Sequence, residues 1–500
     1  MLGNYYTFPE LLIWIPLITG LIAVFFKKSA GVRSFALFSS LATLVVAVIS
    51  LFYINTSAHP EYFSYNHVSY VWLPYIGSSF SVVLDGISII PVILTAVTFP
   101  LVFIATHNRP VQQSGGFYSL MLLFQAGLMG VFVAADALVF YFFWELALIP
   151  AYFLCSRWGG PQKIAATFKF FIYTFTGSLL MLIGILYIYQ FTPPTGPNAL
   201  HSFSLTAFYA TPLKASQQLW LFWLFFLAFA IKMPIFPFHT WQPDTYEQAP
   251  YPTVMILSAV MVKMGVYAMI RWVLPVFPLA LVKFDHLIVV LCVIGIVYGS
   301  CLAIVQNDLK RLVAWASIAH LGVMGAGIFS GNIQGLQGAL LEMFNHGINV
   351  LGLWIVVEII EHTTGVRKIS ELGGLAKKSP LLAIFFLIIA LANVGLPLTN
   401  SFASEFLMLS GIFEFNKWMA AFACLGVILS AVYMLNMMRK VFYGPVSEAS
   451  GNATKMSGGQ MFVLSVVVIM ILVLGVYPEL ILRVTEVPAQ AILNRLMAHV

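Results

Sequence analysis

The chain of 500 residues is 61% hydrophobic and 8% charged, with a mean hydropathy of +0.94 and a formal net charge of +6. This composition excludes a soluble globular domain and specifies a protein that crosses a membrane many times.

Apolar stretches of about 17 to 25 residues, each able to cross a hydrocarbon core of about 30 Å, follow one another almost without pause. They predict an all-α polytopic membrane protein of about 14 transmembrane helices. The first, Phe8 to Phe26, lacks the basic start and small-residue cleavage site of a signal peptide, and it reads as a retained span. Spans one to three run to Ala105, with a loop rich in Tyr, His and Pro between the second and third. The fourth and fifth, Phe117 to Ala134 and Ala137 to Trp158, are joined tightly through Asp136, and the sixth covers Ile164 to Gln190.

The seventh, Leu219 to Trp241, contains AFAIKMPIFPFHTW at 228 to 241, in which Lys232 is followed by Pro234 and Pro237. An intramembrane lysine costs about 2.5 to 3.5 kcal/mol on insertion scales, and each proline removes a helix hydrogen bond, so this span is expected to break. The eighth, Thr253 to Leu274, carries Lys263. A second group follows at His286 to Gln306, Arg311 to Ser330, Gln334 to His362, Pro380 to Phe413 and Lys417 to Phe442. Its fourth member is interrupted at LANVGLPLTNSFASEF (391 to 406), where Gly395, Pro397 and Asn400 precede Glu405. Met461 to Tyr477 is the last span before a short tail.

Two groups of spans with a discontinuous fourth helix in each imply an inverted repeat, because an odd number of crossings reverses the second group. The expected division is 1–113 for three N-terminal helices, 114–275 and 276–442 for two five-helix repeats, and 443–500 for the last helix and tail. Broken backbone at membrane depth survives only where protein or a water-filled cavity satisfies it, so internal water is expected near Lys232.

Basic residues orient the chain. With the N-terminus outside, roughly sixteen of them, including Lys27, Lys28 and Lys310, lie on the cytoplasmic side, and about six, including Arg271, lie outside. Only Lys232 and Lys263 are left in the membrane.

The other intramembrane titratable groups are Glu145, His320, Glu342, His346 and Glu405, with Asp85 and Asp136 near span ends. Glu145 and Lys232 form either a structural ion pair or a proton switch, in which desolvation disfavours the ammonium and the carboxylate favours it. Lys263 has no carboxylate within a turn of its own helix, so a partner must come from another span. His320 and His346 can each be a satisfied core histidine, but together they favour a relay. Glu342 lies four residues before His346 and can orient it. Glu405 has no basic partner on its own span, which suits a terminal proton carrier. His239 is expected at the cytoplasmic mouth, as a proton-uptake group or as surface structure. The four cysteines, Cys155, Cys292, Cys301 and Cys424, are scattered through apolar segments and suggest neither a metal cluster nor a disulfide framework.

FFWELALIPAYFL, FAIKMPIFPFHTWQPDTYEQAPYPTVMILSAVMVKMGVY, QNDLKRLVAWASIAHLG, FNHGINVLGLWI and GLPLTNSFASEFLML, which lie between residues 142 and 409, resemble the antiporter-like membrane subunits of respiratory complex I. That complex is the proton-translocating NADH:quinone oxidoreductase, and multisubunit Mrp sodium/proton antiporters and membrane-bound hydrogenases contain relatives. Glu405, where sister subunits L and N usually carry lysine, and the short tail without a lateral helix make the chain most similar to the subunit M branch, counterpart of mitochondrial subunit four.

The resemblance implies that Glu145 and Lys232 are the switchable pair, Lys263 the central carrier, His320 and His346 relay members, and Glu405 the outward terminal group. It implies no cofactor or metal in this chain, with FMN, iron-sulphur clusters and quinone held by partner subunits. Subunits L and N are the expected neighbours, and a bacterial inner membrane with a periplasmic N-terminus is the expected location. The rival readings are an Mrp-type antiporter or hydrogenase subunit, and a passive scaffold whose charges only hold helices together.

Overall fold

A computed structural model describes residues 7–26, 29–53, 67–194, 200–451 and 453–498. Lys27, Lys28 and most of the Tyr-, His- and Pro-rich loop lie outside the described residues.

Eleven helices are long and apolar enough to span a membrane, and three shorter ones, Phe8–Ala23, Ile89–Ala105 and Pro380–Asn393, are also apolar. The protein is a helical multi-pass membrane protein. In chain order the helices are α1 (Phe8–Ala23), α2 (Ser29–Leu51), α3 (Ile89–Ala105), α4 (Ser114–Val133), α5 (Ala137–Trp158), α6 (Lys163–Tyr189) and α7 (Ala215–Lys232). The short α8 (Trp241–Gln248) leads to α9 (Tyr251–Val276), α10 (Pro278–Val305), α11 (Leu309–Phe329) and α12 (Ile333–Thr364). Last come α13 (Pro380–Asn393), α14 (Asn400–Phe415), α15 (Lys417–Phe442), α16 (Gly458–Val476) and α17 (Glu479–Ala498).

Two local features differ from the all-helical expectation. Antiparallel strands β1 (His67–Leu73) and β2 (Ser78–Val83) form a hairpin before α3, turned at Gly77. Its β-branched and aromatic residues satisfy their backbone in pairs. Asp136 fastens the hairpin to the bundle: it caps α5 by accepting from Leu138 N at 2.9 Å and accepts from Ser79 N at 3.2 Å. Asp136 is therefore a structural cap. The tail beyond α16 is also ordered as a helix, α17, packed on α12 and on the end of α9.

Burial sorts the helices. The apolar windows of α9 and α12 are wholly buried and that of α11 almost so, whereas only about a third of the residues in those of α2, α6, α15 and α16 are buried. Exposed apolar faces suit lipid, and a charge facing hydrocarbon is expensive, so the interior helices are the ones able to carry ionisable groups. Lys263, His320, Glu342 and His346 all lie on these three.

Arg271 and Lys310, read from the sequence only as lying on the outer and cytoplasmic sides, are buried as well. Arg271 is fully buried in α9 and ion-paired with Asp85, which itself accepts from Ile87 N and Ser88 N at the start of α3. Lys310 is buried at the start of α11, donates to Ala249 O at 2.9 Å and lies 4.1 Å from the Tyr251 ring centre. Carbonyls at the turn between α8 and α9 solvate this buried cation.

Candidate functional site

Both expected breaks are present. α7 ends at Lys232, the chain passes through turns around Pro234 and Pro237, and α8 resumes at Trp241. Protein supplies part of the lost hydrogen bonding: Trp241 Nε1 donates to Ile231 O at 2.9 Å, and Ile235 N to Ala230 O at 2.9 Å. The second break separates Asn393 from Asn400, with Gly395 and Leu398 in the left-handed region at φ of 75° and 71°.

Lys232, as the last residue of α7, stands where a helix dipole favours a cation. Its Nζ is buried without a hydrogen-bond partner, 5.5 Å from the Trp144 ring and 5.8 Å from the Phe170 ring. Glu145, next to Trp144, is half-buried and has one unpartnered oxygen. Among the described residues, no ion pair within 4.0 Å joins Glu145 to Lys232. The two are separated, so a permanent structural ion pair is not what this conformation holds.

The centre is more tightly connected. α9 carries π-helical turns at Leu257–Met261 and Met269–Val273. A π-turn releases a carbonyl from the regular ladder. Lys263 Nζ donates to Ser258 O at 2.8 Å and lies 2.7 Å from His346 Nδ1 on α12. The partner sought for Lys263 is thus an imidazole. Two nitrogens at this distance share one hydrogen, which either can donate according to its protonation state. Gly265, two residues after Lys263, lets α9 lie directly against the end of α7, because a Cβ there would press on Met233 N and Phe229 O. The two lysine-bearing segments therefore touch through backbone.

From His346 the chain of polar groups continues to His320, whose ring centre is 5.4 Å away. His320 Nδ1 lies 3.4 Å from Glu405 Oε1 and 3.9 Å from Glu342 Oε1, and its Nε2 lies 3.3 Å from Asn393 Oδ1. Glu405 is a turn beyond the second break, yet its carboxylate folds back over Gly395, where a side chain would overlap it. Gly395 is thus required twice, for positive φ and for space.

Glu342 does not orient His346 as expected. It faces His320 instead and accepts from Ser404 Oγ at 2.5 Å and Ser401 Oγ at 3.5 Å. Asn345 Nδ2 donates to Asn400 O and Asn349 Nδ2 to Ser401 Oγ, so one polar face of α12 holds the first turn of α14. Asn393 is the site residue that sequence reasoning missed; Glu342 was singled out, but its i, i+4 spacing to His346 pointed to the wrong imidazole. Replacing Glu342 with Gln should lower coupled proton movement by about tenfold, less than the loss of about 100-fold or more expected for a direct general acid–base group, because His320 still reaches Glu405. Initial pumping rates in vesicles, normalised to assembled complex, check this; an unchanged rate would make Glu342 a packing residue.

His239 is not at a mouth. It is buried among Phe236, Tyr298 and Trp315, each ring about 5.5 Å away, and neither ring nitrogen has a partner. Buried polar atoms of this kind require water. Unpartnered groups on Gln242 and Tyr246 extend the same polar region. Beyond it, Lys169, Asp244, Arg311, Glu247, Arg367 and Asp308 form a network of ion pairs between 2.5 and 3.3 Å.

A family profile described as NADH:quinone oxidoreductase/Mrp antiporter, TM, matches residues 134–431. NADH-quinone oxidoreductase subunit M of Rickettsia typhi is 35% identical, with 96% of this chain and 97% of the relative covered. F(420)H(2) dehydrogenase subunit M of Methanosarcina mazei is 33% identical over 97% of this chain and 98% of its own. Among solved structures, respiratory complex I from Thermus thermophilus with bound NADH contains a chain that superposes with a TM-score of 0.88 at 30% identity, covering 98% of this chain and 99% of that one. Match length, identity and superposition all span the two breaks and the buried groups between them, and the chain belongs to the NADH:quinone oxidoreductase/Mrp antiporter membrane family, in its subunit M branch.

Proposed function

We propose that this chain is a proton-translocating membrane-arm subunit of an NADH:quinone oxidoreductase. The observation that carries the reading is the contact series Lys263, His346, His320 and Glu405, buried on interior helices with Glu342 alongside. Such a series can hold and pass protons but contains no group able to accept electrons. Redox chemistry with FMN, iron-sulphur clusters and quinone is assigned to partner subunits.

In this mechanism the separated Glu145 and Lys232 are the input switch. Bringing the carboxylate to the ammonium stabilises charge on Lys232; moving it away frees a proton toward Lys263, whose helix meets the end of α7 at Gly265. Lys263 then exchanges a proton with His346 across 2.7 Å, and His320 hands one to Glu405 across 3.4 Å. Each transfer changes the charge beside the next group and biases it in turn.

The two broken helices lie in segments 114–275 and 276–442, which we read as inverted repeats between an N-terminal three-helix part (1–113) and a C-terminal part (443–500). Subunits L and N are the proposed neighbours, in a bacterial inner membrane with the N-terminus on the periplasmic side. The Methanosarcina relative is named for a different electron donor, so the donor is a property of partner chains. The family description also includes Mrp antiporters, and sodium-dependent proton exchange in vesicles without NADH would favour that reading.

The testing variant is Lys232→Ala in membranes with assembly verified. Proton pumping driven by NADH should fall by about tenfold or more, with electron transfer slowed through coupling. Full pumping by an assembled complex would reduce Lys232 to a structural charge.

A further inference from the structure

We propose that His320, Glu342 and Glu405 form a binding site for a divalent transition-metal ion of the zinc class, occupied in competition with the protons these residues carry. One donor atom from each residue lies within 4.8 Å of the other two, and all three residues are buried. His320 Nδ1 is 3.4 Å from one carboxylate oxygen and 3.9 Å from the other. Tetrahedral zinc with bonds of about 2.0 to 2.2 Å needs ligand separations of about 3.4 Å, so closing the set requires only small side-chain shifts.

The surroundings prepare the donors. With Asn393 Oδ1, 3.3 Å from His320 Nε2, accepting a hydrogen bond from that nitrogen, the Nδ1 lone pair is left free. Ser404 Oγ holds Glu342 Oε2 at 2.5 Å, which leaves Oε1 for the cluster.

A second feature points to an occupant. Beside the cluster, on the side away from Glu342, a cavity of about 20 Å³ is lined by His320, Glu405, Ser430 and Tyr433 within an otherwise apolar wall, enough for one water. Tyr433 is buried and its hydroxyl has no partner. A water completing the metal's coordination there would give that hydroxyl a partner.

One imidazole and two carboxylates suit zinc and its first-row neighbours better than magnesium or calcium, which take oxygen sets. Binding requires the deprotonated forms, so each ion displaces protons and immobilises the groups between His346 and the far side of α14.

The test counts metal in the resting assembled complex. Purified complex is equilibrated with buffered free Zn²⁺, desalted and analysed for zinc, in wild type, Glu342→Gln and Tyr433→His. Glu342→Gln should hold one equivalent fewer, and Tyr433→His, which adds a nitrogen donor to the cavity wall, should lower the half-saturating zinc concentration by about tenfold. Equal stoichiometry in wild type and Glu342→Gln would overturn the site. So would an unshifted Tyr433→His titration, which also decides the matter if Glu342→Gln does not assemble. Displacement of zinc by equimolar Mg²⁺ would overturn the metal class. Zinc content is read without turnover, so its failure leaves the proton-translocation reading to the Lys232→Ala test.

Discussion

Membranes carrying Lys263→Ala in an assembled complex should lose NADH-driven proton pumping by about 100-fold, the effect of removing a positioned proton-transfer group. Lys263 is fully buried, and its Nζ contacts one carbonyl released by a π-turn and one imidazole. No other basic side chain in the described contacts meets His346 Nδ1, so alanine opens the series at its narrowest point. Electron transfer should slow with pumping because the two are coupled. Lys263→Arg is the informative companion: arginine keeps the charge but does not release its proton in proteins, so it should assemble well and pump no better than alanine. Recovery of pumping by Lys263→Arg would show that Lys263 supplies charge and does not carry the proton.

Asp85→Leu should destabilise the chain by about 3 to 5 kcal/mol, the cost of leaving a buried charge without its partner. Arg271 is fully buried and paired with Asp85, and this pair joins the segment before α3 to a π-turn of α9. The affected helix also carries Lys263, so misassembly would move the central carrier. Thermal inactivation of the purified complex, together with the amount of this chain in membranes, measures the loss. The double variant Asp85→Leu with Arg271→Met should recover most of it, because an apolar pair leaves no orphan charge. A double variant as damaged as Asp85→Leu alone would mean that Asp85 acts through its cap on α3 and not through the arginine.

Hydropathy and rare intramembrane charges were sufficient to read a helical membrane protein, to expect both breaks and to single out Lys263, His346, His320 and Glu405, which the structure brings together. The reason is physical: a bilayer tolerates few charges and few prolines, so each one stands out against 61% hydrophobic sequence. The hairpin at 67–83 and the terminal helix α17 were less legible, because neither contributes a long apolar run.

Pairing was decided by the tertiary structure. Lys263 meets His346 and not a carboxylate, Glu342 turns to His320, and Asn393 enters the cluster from the end of a broken helix. Arg271 and Lys310 are buried because Asp85 and the carbonyls near Ala249 are brought to them from distant segments. The sequence by itself determined which helices carry charge, since that depends on composition and local periodicity. Which charges touch depended on helix rotation, π-turns and the close approaches permitted at Gly265 and Gly395, and these arise only when the interior helices pack against one another.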